Sequence, residues 1–159
     1  VGVAQSLISP DLRVGFVAAP EAFVPKLERA IRATTWCTPG VTTAIACGWL
    51  EDGTVDRLES QKRQDAAARQ IIVGEELAGL KCVRHALSYF PWLPLAEETR
   101  ADRVATALMR EGVSVSTAEP FATSRQVPHA LRLALGSVAL DSLDSALRAV
   151  RRVVGEYAF

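Results

Sequence analysis

In this chain of 159 residues, two arginines are candidates for binding an anionic group. Arg13 lies near the start of the apolar run 12–19, and Arg132 lies within the alternating run 131–135. A guanidinium stays charged at any working pH, and its planar fork pairs with phosphate or carboxylate oxygens through two hydrogen bonds. Taken alone, Arg13 could instead cap strand carbonyls or pair with Asp11, and Arg132 could be a solvated residue on an amphipathic strand. The residues themselves leave these alternatives open.

The other reactive side chains give weaker signals. His85 and His129 are the only histidines, and no carboxylate or cysteine near them has the spacing of a metal site, so we predict no metal. The three cysteines form no C-x-x-C pair, and their odd number argues against a disulfide framework: Cys37, Cys47 and Cys82. We therefore expect buried, reduced thiols in a cytoplasmic protein.

Composition excludes several classes of function. Acidic and basic residues are equal at eighteen each, so the chain offers no field of one sign to attract DNA or an anionic membrane. No apolar run approaches the roughly 20 residues that cross a bilayer. The chain begins at Val1, and its only methionine is Met109, so we expect a C-terminal piece of a longer protein.

The hydrophobic pattern divides the chain into three parts. Residues 1–53 contain a short buried strand and two helices, and we predict that they are the remnant of a larger domain. Residues 54–79 favour one long helix with apolar ends and a polar middle, which suits a connector between two packed bodies. Residues 80–159 give the order strand, helix, strand, strand, helix.

These elements predict an α/β fold. Residues 113–116 and 131–135 alternate between apolar and polar side chains, as half-buried strands do, and Pro91 and Pro94 restrict a further strand to a sheet edge. Asp141 is a candidate N-cap for the last helix. We expect a small C-terminal domain with a short, mostly antiparallel sheet and helices on one face.

Several phrases along the chain resemble fold-type I pyridoxal-phosphate enzymes. Ser9-Pro10-Asp11-Leu12-Arg13-Val14-Gly15-Phe16 is similar to the family segment P-x-L-R-x-G-[YF] that follows the cofactor lysine. Gly112 to Val115, Glu119-Pro120-Phe121 and Leu131 to Gly136 look like the family's later strands and loop. The run from Tyr89 to Leu95 is more similar to the MocR-type regulators of the GntR family, which fuse a winged helix-turn-helix to an aminotransferase-like domain.

The resemblance implies roles for particular residues. Arg13 matches the arginine that contacts the cofactor phosphate, and Arg132 matches the arginine that binds the α-carboxylate of a substrate or effector. Four residues before Pro10, where the family has the lysine that holds pyridoxal phosphate as an imine, this chain has Ser6. Val3 replaces a serine that donates to the phosphate. Because serine cannot form the imine, we expect no catalytic residue here and impaired binding of the cofactor.

Two functions follow from this resemblance. The first is the effector-binding and dimerisation part of a MocR-like transcription regulator without transaminase activity. It would bind a small amino acid or carboxylate, form a homodimer, and reach DNA only through an N-terminal domain outside this chain. The second is a fragment of a class I/II aminotransferase, whose catalytic lysine would come from elsewhere. A structural α/β domain without a ligand is a third alternative.

Overall fold

The computed structural model of the chain describes residues 2–4 and 14–157. It divides into two compact units, Val1–Lys62 and Arg63–Phe159. Helix α3, Thr54–Glu76, begins in the first unit and ends in the second. The predicted division at residues 53 and 79 stays a prediction.

The first unit contains one strand pair and two helices. Strands β1, Gly2–Ala4, and β2, Phe16–Ala18, are antiparallel, with Val3 opposite Val17. A 3₁₀ turn, Glu21–Phe23, leads into α1, Val24–Thr34, and α2 spans Gly40–Glu51. Pro25 in the first turn of α1 suits a position where the backbone N–H has no helical partner. Neither helix buries a residue, and α2 leaves apolar side chains such as Val41 and Leu50 exposed.

The second unit is built on a three-stranded antiparallel sheet. Strand β3 is Trp92–Pro94, β4 is Ser116–Thr117 and β5 is Ala130–Arg132. Their order is β3–β5–β4, so β5 is bonded on both edges. Helix α4, Ala101–Arg110, separates β3 from β4, and α5, Leu143–Glu156, follows β5.

One hydrophobic core joins this sheet to its helices. Leu93 and Leu131, on neighbouring strands, are fully buried and share the core with α4 and α5. Both helices are amphipathic, and each contributes the residues that recur at helical spacing on its inner face: Ala101, Val104 and Leu108 from α4, and Leu143, Leu147, Val150 and Val154 from α5. The α/β fold with a short antiparallel sheet is thereby confirmed.

Strand boundaries differ from the sequence expectation. The strand expected at residues 113–116 lies at Ser116–Thr117, and β5 ends at Arg132 although Leu133 and Leu135 are also buried. Between residues 83 and 95 only Trp92–Pro94 is a strand, with a single bridge from Trp92 back to Val83. Proline lacks the N–H that a ladder needs, which explains so short an edge strand.

Two smaller expectations are wrong. Asp141 does not cap α5, because it lies in a 3₁₀ turn, Leu140–Ser142, and no side chain caps the helix. Cys37 and Cys47 are exposed rather than buried, and Cys82 is half-buried; all three thiols are free.

A buried arginine fixes the end of α3 that lies in the second unit. Arg69 donates to the carbonyl oxygens of Leu135 at 2.7 Å and Val138 at 2.8 Å, and its Nε donates to Asp65 at 2.8 Å. The Tyr89 hydroxyl donates to the same carboxylate at 2.7 Å. Two polar side chains of α3 therefore make tertiary contacts: Arg69 binds the segment after β5, and Asp65 binds Arg69 and Tyr89.

Replacing Arg69 should be costly. In Arg69→Met the two carbonyls lose their charged donor, and we expect the free energy of unfolding to fall by about 2–4 kcal/mol. Urea denaturation measures the free energy of unfolding. The control is Arg103→Met, at an exposed position on α4, whose free energy of unfolding should stay within about 0.5 kcal/mol of the parent value. Equal losses in the two variants would contradict a structural role for Arg69.

Tyr89 should make stability fall at alkaline pH. Burial, followed by its hydrogen bond to Asp65, raises the pKa of Tyr89 to about 12, whereas an unfolded tyrosine titrates near pKa ~10. Because the folded pKa is the higher one, this contribution is present below pH ~10 and is lost as the pH rises toward 12. Unfolding curves measured between pH 8 and 11 should show that the free energy of unfolding declines as the pH rises. The decline should be smaller in Tyr89→Phe. It should be unchanged in Tyr157→Phe, which retains Tyr89.

Candidate carboxylate-binding site

The structure places one of the predicted site residues with its side chain. Arg13 and Ser6 lie outside the described residues, and of Val3 only the backbone, in β1, is described. Arg132 is the last residue of β5. The grouping of these four residues in one site therefore stays a prediction, and the candidate site has to be built around Arg132.

The position of Arg132 is set by the middle strand. It is opposite Trp92 of β3 on one side and opposite Ser116 of β4 on the other. Side chains at opposed ladder positions lie on the same face of a sheet, and successive residues alternate between faces. Leu131 enters the core, so Arg132 lies on the other face, together with Trp92 and Ser116.

Aromatic rings surround the guanidinium of Arg132. Its central carbon lies 3.9 Å from the centroid of the Phe90 ring and 4.8 Å from that of Phe121. Phe121 in turn meets Trp92 edge to face, with 6.1 Å between centroids and 75° between planes. The two phenylalanines are about half exposed, at 50% and 48%. We call Phe90, Trp92, Phe121 and Arg132 the aromatic face.

Arg132 has no anionic partner in the part of the chain that the structure describes. No hydrogen bond or ion pair engages its N–H groups there, in contrast to Arg69, whose donors reach one carboxylate and two carbonyls. A guanidinium carries five N–H donors in one plane, and contact with a ring face uses none of them in a conventional hydrogen bond.

This arrangement suits a planar anion. A carboxylate can accept two parallel N–H···O bonds from a guanidinium edge, and nearby rings exclude part of the water that would weaken them. The side chain is half-buried, so an incoming ligand can still reach it. The aromatic face therefore has the chemistry of a carboxylate-binding site.

Sequence reasoning missed the aromatic members of this site. In the sequence, the segments around Phe90, Trp92 and Phe121 indicate only a family resemblance. A usable signal was present: Phe90 and Trp92 are two residues apart on either side of Pro91, a spacing that puts both on one face of an extended chain. Phe121 is brought in by a 3₁₀ turn, Glu119–Phe121, which the pattern did not reveal.

A second concavity lies at the start of α4. It has a volume of about 420 Å³, and its lining includes Arg100, Asp102, Glu119 and His129. Arg100 and Asp102 bind each other through two hydrogen bonds of 2.9 and 3.1 Å. Its arginine is thus neutralised by its own neighbour, so this cavity is the weaker candidate for an anion.

The donor set does not fit an anchored pyridoxal phosphate. The three lysines of the chain are Lys26, Lys62 and Lys81, and none stands four residues before Pro10, where the imine would form. Ser6 at that position has no amine. Within the described residues no group of three or more histidine, cysteine or acidic side chains could hold a metal ion, and no helix is long and apolar enough to cross a membrane.

Comparison with known proteins identifies the fold as that of an aminotransferase. A kynurenine aminotransferase from Pyrococcus horikoshii superposes with a TM-score of 0.81 at 20% identity, over 92% of this chain and 38% of that one. A multiple substrate aminotransferase from Thermococcus profundus also gives 0.81, at 22% identity, over 93% of this chain and 38% of that one. At these identities the likeness shows the fold.

The sequence comparison shows the family. Residues 2–150 match the profile of the class I and II aminotransferases, and the chain belongs to that family. It is 25% identical to aromatic-amino-acid aminotransferase 1 of Thermococcus litoralis, over 98% of this chain and 39% of that protein. The chain thus spans about two fifths of the length of these relatives. The predicted aminotransferase-like fold is confirmed.

Proposed function

We propose that this chain is the carboxylate-binding part of an aminotransferase-like domain, and that Arg132 binds the α-carboxylate of an amino acid or a related acid. The observation that carries the proposal is the aromatic face, where a half-buried guanidinium contacts two rings and pairs with no described carboxylate. An arginine with a purely structural role would resemble Arg69, whose Nε and Nη1 donate to one carboxylate and two carbonyls of the protein.

The finer proposal is that the domain senses its ligand without transforming it. Ser6 at the lysine position and Val3 at the serine position remove the imine and one phosphate contact. The phrase from Tyr89 to Leu95 is similar to MocR-type regulators of the GntR family. On this proposal the protein is cytoplasmic and forms a homodimer, and an N-terminal domain outside this chain binds DNA.

The second candidate is a fragment of an active aminotransferase. It is favoured by the names of the relatives, which are aminotransferases for aromatic amino acids, kynurenine or several substrates. In that case Arg13 would hold the phosphate of pyridoxal phosphate and Arg132 the substrate carboxylate. The amine that anchors the cofactor would have to come from another chain or segment. In both candidates Arg132 has the same task, to hold the carboxylate end of the ligand.

Removing the guanidinium should abolish recognition of the carboxylate. Calorimetry against the twenty L-amino acids should detect binding to the parent chain, and Arg132→Ala should weaken it by about 10- to 100-fold, the value of one or two charge-assisted hydrogen bonds. Arg132→Lys keeps the positive charge but loses the planar pair of N–H donors, so it should retain only part of the parent's affinity. The control is Arg103→Ala; unchanged affinity in both alanine variants would remove Arg132 from the site.

The lysine position should decide between sensor and enzyme. With pyridoxal phosphate added and imines reduced by borohydride, we expect no single residue of the parent protein to be labelled stoichiometrically, because Ser6 offers no amine and the three lysines should give only scattered, partial labelling. Ser6→Lys should create stoichiometric labelling of residue 6, located by peptide mapping, if the rest of the cofactor site survives, and Ser6→Ala should not. Stoichiometric labelling of one amine in the parent protein would contradict the sensor proposal and favour the aminotransferase.

A further inference from the structure

The rings of Phe90 and Phe121 meet Arg132 at a point where, within the described residues, no hydrogen bond or ion pair holds its guanidinium. The strand fixes the backbone of Arg132 on both edges, but a long side chain keeps several rotatable bonds beyond it. Within the described residues, the guanidinium lies over these two rings, and no charged side chain contacts it. The orientation of the guanidinium therefore depends on the two ring faces.

The backbone that carries each ring is itself held in place. The N–H of Phe90 donates to Ser88 Oγ at 3.1 Å, and its neighbour Pro91 is fully buried. Phe121 ends a 3₁₀ turn in which its N–H donates to the Ala118 carbonyl at 3.0 Å. Trp92 contacts the ring of Phe121 edge to face, the geometry that aromatic pairs prefer.

We propose that Phe90 and Phe121 are positioning residues that orient the guanidinium of Arg132 for a bidentate carboxylate. This inference rests on the proposed function of Arg132 and adds how its guanidinium is oriented. Stacking on ring faces restrains the plane of the guanidinium while all its N–H donors stay available to the ligand. Acidic partners would restrain it equally well but would neutralise the charge that the ligand needs.

The prediction concerns the discrimination between an acid and its amide. We take the L-amino acid that binds the full chain most tightly and compare its dissociation constant with that of its own carboxamide, which lacks the negative charge. Phe90→Leu and Phe121→Leu keep an apolar side chain but remove the ring, and each should reduce the preference for the acid by about 3- to 10-fold. Phe121→Tyr keeps a ring and should retain the parent preference.

Phe23→Leu is the matched control. Phe23 is also about half exposed, at 52%, and its ring also lies beside a cation, Lys26, at 5.8 Å. The Phe23→Leu variant should keep the parent's preference for the acid over its carboxamide. Cooperative thermal unfolding of each variant confirms that it is folded, and because two rings are tested, loss of folding in one variant leaves the other to decide.

The outcomes separate this inference from the function on which it rests. If the parent chain prefers the acid and both leucine variants keep that preference, the positioning role is wrong while the carboxylate site stands. Equal weakening of acid and amide would likewise overturn it, because the rings would then serve only as packing. If the parent chain shows no preference for the acid, the carboxylate site fails, and the positioning role fails with it.

Discussion

The second unit depends on the alternation of β5, a strand of only three residues between two partners. Leu131 is fully buried and joins the core formed by α4 and α5, while the next residue, Arg132, lies on the opposite face. A shift of one residue in the pairing would move the arginine into the core and the leucine to the surface. Since an unpaired charge in an apolar core is very costly, the same core that holds the fold together also fixes the place of Arg132, the arginine proposed to bind the ligand.

Two arginines of this unit differ in their surroundings rather than in residue type. Arg69 is buried, and its Nε and Nη1 donate to Asp65 and to two carbonyls of the segment after β5. Arg132 contacts rings, and within the described residues its N–H groups make no hydrogen bond. The Asp65 carboxylate shows the strength of the first arrangement, since the hydrogen bond from Arg69 lowers its pKa despite partial burial. Within the described residues no carboxylate pairs with Arg132, and on the proposed function the ligand supplies that partner.

The sequence was sufficient for the order of elements because helix periods and proline positions are local properties. It predicted the long helix at residues 54–79, which is α3, and the order of strands and helices that follows it. It also placed Arg132 within the alternating run that contains β5. It did not predict the partners of Arg69 or the meeting of Phe90 with Phe121, because both join segments far apart in the chain. Such contacts depend on how the loops fold over the sheet, and no local pattern encodes that. It failed at Asp141 because a 3₁₀ turn comes between that residue and the helix it was expected to cap.

The chain has Arg132 at the position of the family's carboxylate-binding arginine but Ser6 at the position of the family's lysine. This combination bears on how an aminotransferase-like domain could change its function. Binding a carboxylate and holding a cofactor by an imine are separate chemical tasks, and only the second needs an amine nucleophile. On the proposed function, the carboxylate site depends on the sheet face opposite the core and on aromatic neighbours of which Phe90 and Phe121 are about half exposed. A serine in place of the lysine would remove one nucleophile and leave this face of the sheet unchanged. We therefore propose that a domain of this family can lose its reaction while keeping a carboxylate-binding face, as a sensor requires.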